Sequence, residues 1–132
     1  MTPSGDPPAA PVRVVLCDDV PPLRALARYV LEEGGSIAVV GEAGDAATAV
    51  RLCGELRPDA VLLDLSLPGM DGLEAIPLLH EAAPGVCVVV FSGFAAERMA
   101  EPALAQGAAR YVEKGADLAE VREILLEAVR GG

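Results

Sequence analysis

Clustered basic residues are missing from this 132-residue chain, which carries 10 Lys and Arg against 20 Asp and Glu, a formal net charge of −10. Nucleic-acid docking needs a patch of Lys and Arg, and a polybasic membrane anchor needs the same, so the balance argues against both. Aromatic residues make up 3% and Trp is absent, which argues against stacking platforms for bases or sugars. Three cysteines, Cys17, Cys53 and Cys87, sit 36 and 34 residues apart in apolar surroundings with no CxxC pair. They read as buried thiols of a reducing compartment rather than as a disulfide or zinc site. Residues 1–11 (MTPSGDPPAAP) have no apolar signal-peptide core, and the longest uncharged apolar stretch, Val86 to Phe94, is far too short to span a bilayer. A soluble, cytoplasmic protein is expected. No GxxxxGK[ST] motif occurs, no GxGxxG follows a strand, and no GxSxG is present. A P-loop, a dinucleotide fingerprint and a Ser-His-Asp hydrolase are therefore set aside. The sole histidine, His80, falls on a helical pattern and is expected to be a solvated or half-buried helix residue.

What is present is core material: 52% of the residues are hydrophobic, enough for one domain. The four prolines of residues 1–11 predict a flexible tail. Apolar runs then alternate with helical periodicity. Strands are expected at Val12–Cys17, Ile37–Val40, Ala60–Leu65, Val86–Phe91 and Ala109–Glu113. A helix opens at Pro22 and stops at Gly34-Gly35. Asp45, Asp71 and Asp117 are placed to cap the second, third and fifth helices, and a fourth runs to about Gln106. Helical crossovers force parallel neighbours, so the expected fold is α/β, a doubly wound five-stranded parallel sheet.

In such a sheet the strand carboxyl ends share one edge, where ligands bind. Asp18 and Asp19 follow the first strand, Asp64 ends the third, Ser92 the fourth and Lys114 the fifth. Gathered carboxylates repel: two unit charges ~4 Å apart interact by about 4 kcal/mol at an effective dielectric of about 20. Protonation of one carboxyl or a bound cation relieves this. Hard oxygen ligands with open positions suit Mg2+, which favours carboxylate plus phosphoryl oxygens. Asp64, inside the apolar stretch Leu63 to Leu67 interrupted only by Ser66, fits poorly as a simple turn former. It is placed as an aspartyl nucleophile. Ser92 is expected to hydrogen-bond one phosphoryl oxygen and Lys114 to supply an ammonium to another. Lys114 is the only lysine among ten basic residues, and a lysine at this one place points the same way.

The segments VRVVLCDDVPPLR, VVGEAGDAATAV, RPDAVLLDLSLPGMDGLEAI, VVVFSG and GAARYVEKGA resemble the receiver domain of bacterial two-component response regulators. Within that family they are most similar to the subgroup ahead of LuxR-type (NarL-like) DNA-binding domains. The resemblance covers residues 12–130 as a receiver and implies a flavodoxin-like (βα)5 three-layer sandwich. It implies that Asp64 accepts a phosphoryl group from the phosphohistidine of a sensor kinase or a phosphotransfer protein. Mg2+ would be held by Asp18, Asp19, Asp64 and the backbone carbonyl of Ser66. Ser92 and Lys114 would bind the phosphoryl group, and Tyr111 would change rotamer with it and reshape a protein-contact surface. Ser66 and Phe94 would influence how long the aspartyl phosphate lasts, and bulky Phe94 is expected to lengthen it by restricting water.

Departures from the family pattern carry expectations of their own. Gly115 stands where many receivers have proline, so a trans bond and a more mobile lysine loop are expected. Pro77 and Pro102 fall inside the third and fourth helices and are expected to kink or end them. Read as a whole protein, the chain is a stand-alone receiver acting through a downstream protein, with a homodimer open. Read as a fragment, it belongs to a LuxR-type DNA-binding regulator without itself touching DNA. It is expected to be a regulatory phosphoacceptor and not an enzyme. Its rivals are a haloacid-dehalogenase-type phosphatase, which would want a second Asp where Ser66 stands, and a degenerate receiver acting by binding alone.

Overall fold

Strands covered on both faces read as unbroken apolar runs, and the runs of this chain become the centre of a sheet. The computed structural model describes residues 10–131. Most of the expected tail, residues 1–9, lies outside the described residues. Strands Val12–Cys17 (β1), Ile37–Ala43 (β2), Ala60–Leu63 (β3), Cys87–Ser92 (β4) and Arg110–Glu113 (β5) alternate with helices. These are Pro21–Glu32 (α1), Ala46–Leu56 (α2), Gly72–Ala82 (α3), Ala96–Ala105 (α4) and Leu118–Gly131 (α5). The sheet order is β2-β1-β3-β4-β5 with every pair parallel, which makes the expected doubly wound α/β fold. Chain direction across the sheet reverses between β1 and β3, and this switch point opens a crevice beyond their carboxyl ends.

Alternate residues of each strand feed two cores. Val15, Cys17, Val61, Leu63, Val88 and Val90 pack with Ala49 and Cys53 of α2, Ile76 and Leu79 of α3, and Ala103 of α4. On the other face Val14, Leu16, Leu62, Val89 and Phe91 pack with Ala27 and Leu31 of α1 and Val121 and Leu125 of α5. The result is a three-layer sandwich.

The expected caps are in place: Asp45 accepts from the Thr48 amide at 2.8 Å, Asp71 from Leu73 at 2.9 Å and Asp117 from Ala119 at 3.0 Å. α1 has no side-chain cap but begins with Pro21 and Pro22, whose missing N–H groups leave fewer donors to satisfy. Several expectations are corrected. β3 stops at Leu63, two residues short of Leu65: the Asp64 amide still donates to the Cys17 carbonyl at 2.9 Å, but its carboxylate turns the chain by accepting from the Ser66 amide at 3.0 Å. β2 runs on to Ala43, past the end of its apolar pattern at Val40, through a register shift opposite Val14 and Val15. Neither Pro77 nor Pro102 ends its helix. Ala75, Ile76 and Leu79 beside Pro77, and Ala103 beside Pro102, are fully buried, so tertiary packing offsets the lost hydrogen bond and the ring clash. Among the described residues no helix is long and apolar enough to cross a membrane.

The three cysteines are free thiols, as expected, with Cys17 and Cys53 buried and Cys87 half-buried. Burial pushes the Cys53 thiol up to about 11 and, with help from Asp45, Asp64 and Asp18, the Cys17 thiol up to about 12. Both thiols keep their protons in the fold at pH values where an unfolded chain loses them. Their contribution to stability is therefore lost as pH rises from about 9 towards 11 and 12. At pH 9 the native protein should leave Cys17 and Cys53 unmodified by iodoacetamide, whereas guanidinium-unfolded protein should alkylate at all three. Rapid native labelling of Cys53 would show that its burial is wrong. A second expectation concerns Gly72, where an added Cβ would stand 2.5 Å from the Leu65 Cα and 2.7 Å from the Leu65 carbonyl oxygen. Gly72→Ala should lower stability by about 2 kcal/mol in urea unfolding; an unmoved midpoint would mean the loop after Asp64 yields freely.

Candidate functional site

The parallel sheet delivers the expected residues to one edge. Asp18 and Asp19 follow β1, Asp64 follows β3, Ser92 is the last residue of β4, and Lys114 follows β5. Asp18, Asp19 and Asp64 each offer a carboxylate oxygen within 4.8 Å of the others. Asp64 is 2% exposed and Ser92 fully buried, while Asp18 is buried and Asp19 exposed.

Two of the three carboxylates, Asp18 and Asp64, are already partnered. The Lys114 ammonium donates to Asp18 Oδ2 at 2.7 Å and to Asp64 Oδ2 at 3.0 Å. Sequence reasoning offered protonation or an outside cation as relief and reserved Lys114 for a phosphoryl oxygen; the structure places the lysine on the acids themselves. Burial pulls the Lys114 pKa down, but the hydrogen bonds and charges of Asp18 and Asp64 outweigh it, and the net shift is upward. The ammonium thus holds its charge above the ordinary lysine range. The remaining oxygens are also engaged. Asp64 Oδ1 accepts from both the Ser66 amide and the Ser66 hydroxyl, each at 3.0 Å. Asp18 Oδ1 accepts from the Val20 amide at 2.9 Å.

The Asp18 backbone is fixed from two sides, a feature that sequence reasoning missed. Its amide donates to the Ala43 carbonyl at 3.0 Å, and its carbonyl accepts from Arg24 Nη1. Arg24 in turn pairs with Glu42 at 3.3 Å. The only signal available was the helical position of an arginine one turn into α1.

Ser92 Oγ accepts from the Phe94 amide at 3.2 Å, which leaves its own O–H free to donate. The Tyr111 hydroxyl donates to the Phe94 carbonyl at 2.7 Å, so the switch residue expected on β5 touches the β4–α4 loop directly. Phe94 is 47% exposed. The bond after Lys114 is trans and Gly115 adopts φ +117, a conformation that L side chains rarely take. His80, half-buried on α3, hydrogen-bonds the Gly107 carbonyl at 2.8 Å and stands apart from this edge, as expected of a helix residue.

Three hard carboxylate oxygens at this spacing, open to solvent on the Asp19 side, form a donor set that suits a divalent cation. Buried Asp64, a free hydroxyl and an ammonium beside it can receive a tetrahedral anion.

Comparison with known proteins fits these features. The description "Response regulator receiver domain" matches residues 14–126. The chain is 36% identical over 121 residues to the nitrate/nitrite response regulator protein NarL of Escherichia coli, covering 92% of this chain and 56% of that protein. It is 37% identical over 117 residues to a protein-glutamate methylesterase/protein-glutamine glutaminase of Maricaulis maris, covering 86% of this chain and 29% of that protein. The chain therefore spans little more than half, or less, of these curated relatives. Among solved structures, the signal receiver domain of a response regulator designated NarL from Mycobacterium tuberculosis superposes with a TM-score of 0.88 at 34% identity, covering 94% of this chain and all of that one. The fold, the acidic edge and these matches together make the chain a NarL-type member of the response regulator receiver domain family of two-component systems.

Proposed function

We propose that Asp64 is the phosphoacceptor of this receiver and that residues 12–130 form the complete unit. The observation that carries the reading is the Asp64 carboxylate, 2% exposed, gathered with Asp18 and Asp19 and contacted by the only lysine. In the reaction an Asp64 oxygen attacks the phosphorus of a phosphohistidine on a kinase or phosphotransfer protein. An O–P bond forms, the P–N bond breaks, and the freed imidazole nitrogen keeps the electron pair. Asp18, Asp19, Asp64 and the Ser66 carbonyl are the proposed ligands of Mg2+, whose charge, when bound, stabilises phosphoryl oxygens. Lys114 moves from Asp64 Oδ2 to a phosphoryl oxygen, and the Ser92 hydroxyl donates to another. Tyr111 follows through its bond to Phe94 and reshapes the α4–β5 surface read by a downstream protein. Ser66, which donates twice to Asp64 Oδ1, and Phe94 set the lifetime of the acyl phosphate. The domain acts as a regulatory phosphoacceptor in the cytoplasm, not as an enzyme. The output, DNA-binding or otherwise, lies in a partner or another segment, since NarL-type relatives extend well beyond the matched region.

Incubation with acetyl phosphate and Mg2+ should add one phosphoryl mass to the intact protein, and Asp64→Asn should abolish the gain. Sustained release of free phosphate without a stable adduct would overturn the reading in favour of a phosphatase, and no adduct from any donor or kinase would favour a binding-only receiver. A second expectation follows from the Lys114 contacts. Lys114→Met leaves the gathered carboxylates without their cation, so stability in EDTA should fall by about 2 kcal/mol and recover in millimolar Mg2+. Equal stability of variant and wild type in EDTA would remove the lysine from this role.

A further inference from the structure

α4 begins without a cap of its own. The residue before it is Ala95, which has no side-chain acceptor. The Arg98 and Met99 amides reach the Ala95 carbonyl at 3.1 Å, which leaves the Ala96 amide among the donors every helix start exposes. Its partner comes from another element: Glu113 Oε2, the last side chain of β5, accepts from the Ala96 amide at 2.7 Å. A carboxylate there also suits the positive end of the helix dipole.

The contact closes a set of bonds around one short loop. Phe94 has both backbone groups engaged, its amide on Ser92 Oγ at 3.2 Å and its carbonyl on the Tyr111 hydroxyl at 2.7 Å. The Lys114 amide donates to the Ser92 carbonyl at 2.7 Å. The Ser92 hydroxyl therefore points where the Phe94 peptide lets it point, and that peptide is held between Ser92, Tyr111 and the start of α4.

We infer that Glu113 is a positioning residue for the acceptor site. By capping α4 from β5 it holds the β4–α4 loop in the arrangement that orients Ser92 through the Phe94 peptide. The inference rests on Asp64 being the phosphoacceptor. Glu113 never touches the phosphoryl group; it acts through Ala96 and Phe94, and loosening it admits water to the acyl phosphate.

The test uses the full chain and two variants. Glu113→Ala removes the acceptor, whereas Glu113→Gln keeps an oxygen that can still accept. In Glu113→Ala the Ala96 amide should exchange about fivefold faster, the effect of a lost helix cap, while α2 and α5 amides stay unchanged. The aspartyl phosphate formed from acetyl phosphate should hydrolyse several-fold faster, and Glu113→Gln should restore both readouts. Unchanged Ala96 exchange overturns the cap. Faster exchange with an unaltered phosphoryl lifetime overturns the positioning role, and a Gln variant that behaves like Ala would assign the effect to charge rather than capping. If wild type takes up no phosphoryl group at all, the acceptor reading fails separately, and amide exchange alone decides whether Glu113 caps α4.

Discussion

The Lys114 ammonium, 2.7 Å from Asp18 and 3.0 Å from Asp64, is what allows this fold to close around its own acids. A parallel sheet brings the ends of β1 and β3 side by side, and in this chain both ends are aspartates. Without a positive charge between them, two carboxylates in a half-buried edge would repel by several kcal/mol. The lysine also satisfies hydrogen bonds that water would otherwise have to make, which matters most for Asp64 because it is almost fully shielded. Its raised pKa follows from the same contacts, which favour the charged ammonium. One ammonium therefore offsets part of the charge of three gathered acids, and an incoming anion has to draw it away from a carboxylate that it already holds.

Much of the architecture was legible because it is written in local periodicity. Two-sided apolar runs gave away central strands, Asp before a helical pattern gave away caps, and alternation of the two gave away a parallel sheet. The sheet then did the work of placing Asp18, Asp64, Ser92 and Lys114 together, although the first and last are 96 residues apart. No local pattern links those four positions; only the topology does, which is why strand ends were the productive place to look.

What stayed hidden depends on pairings with no periodic trace. Lys114 was assigned a future partner rather than its present ones, because sequence alone does not say whether a cation at the edge faces the acids or a ligand. The Arg24 contact to the Asp18 carbonyl and the Glu113 contact to Ala96 both join side chains to backbone groups of other elements. Pro77 and Pro102 misled in the opposite sense. Local propensity says a helix should break there, yet burial of their neighbours on the α2–α3–α4 face outweighs it. The extension of β2 beyond Val40 has the same origin, since β1 continues to offer ladder partners after the apolar pattern has ended.

β5 joins the acidic edge to α4. It is four residues long, and its period of two sets Tyr111 and Glu113 on one side, where the first reaches the β4–α4 loop and the second the first residue of α4. Val112 points into the opposite core. The next residue, Lys114, holds the acids with its side chain and Ser92 with its amide. Lys114, which holds Asp64, is thus the chain neighbour of Glu113, which holds the start of α4. One peptide bond separates the residue that grips the acids from the one that caps α4. Two hydrogen bonds, one from a tyrosine and one to a glutamate, join β5 to the β4–α4 loop and to the first residue of α4.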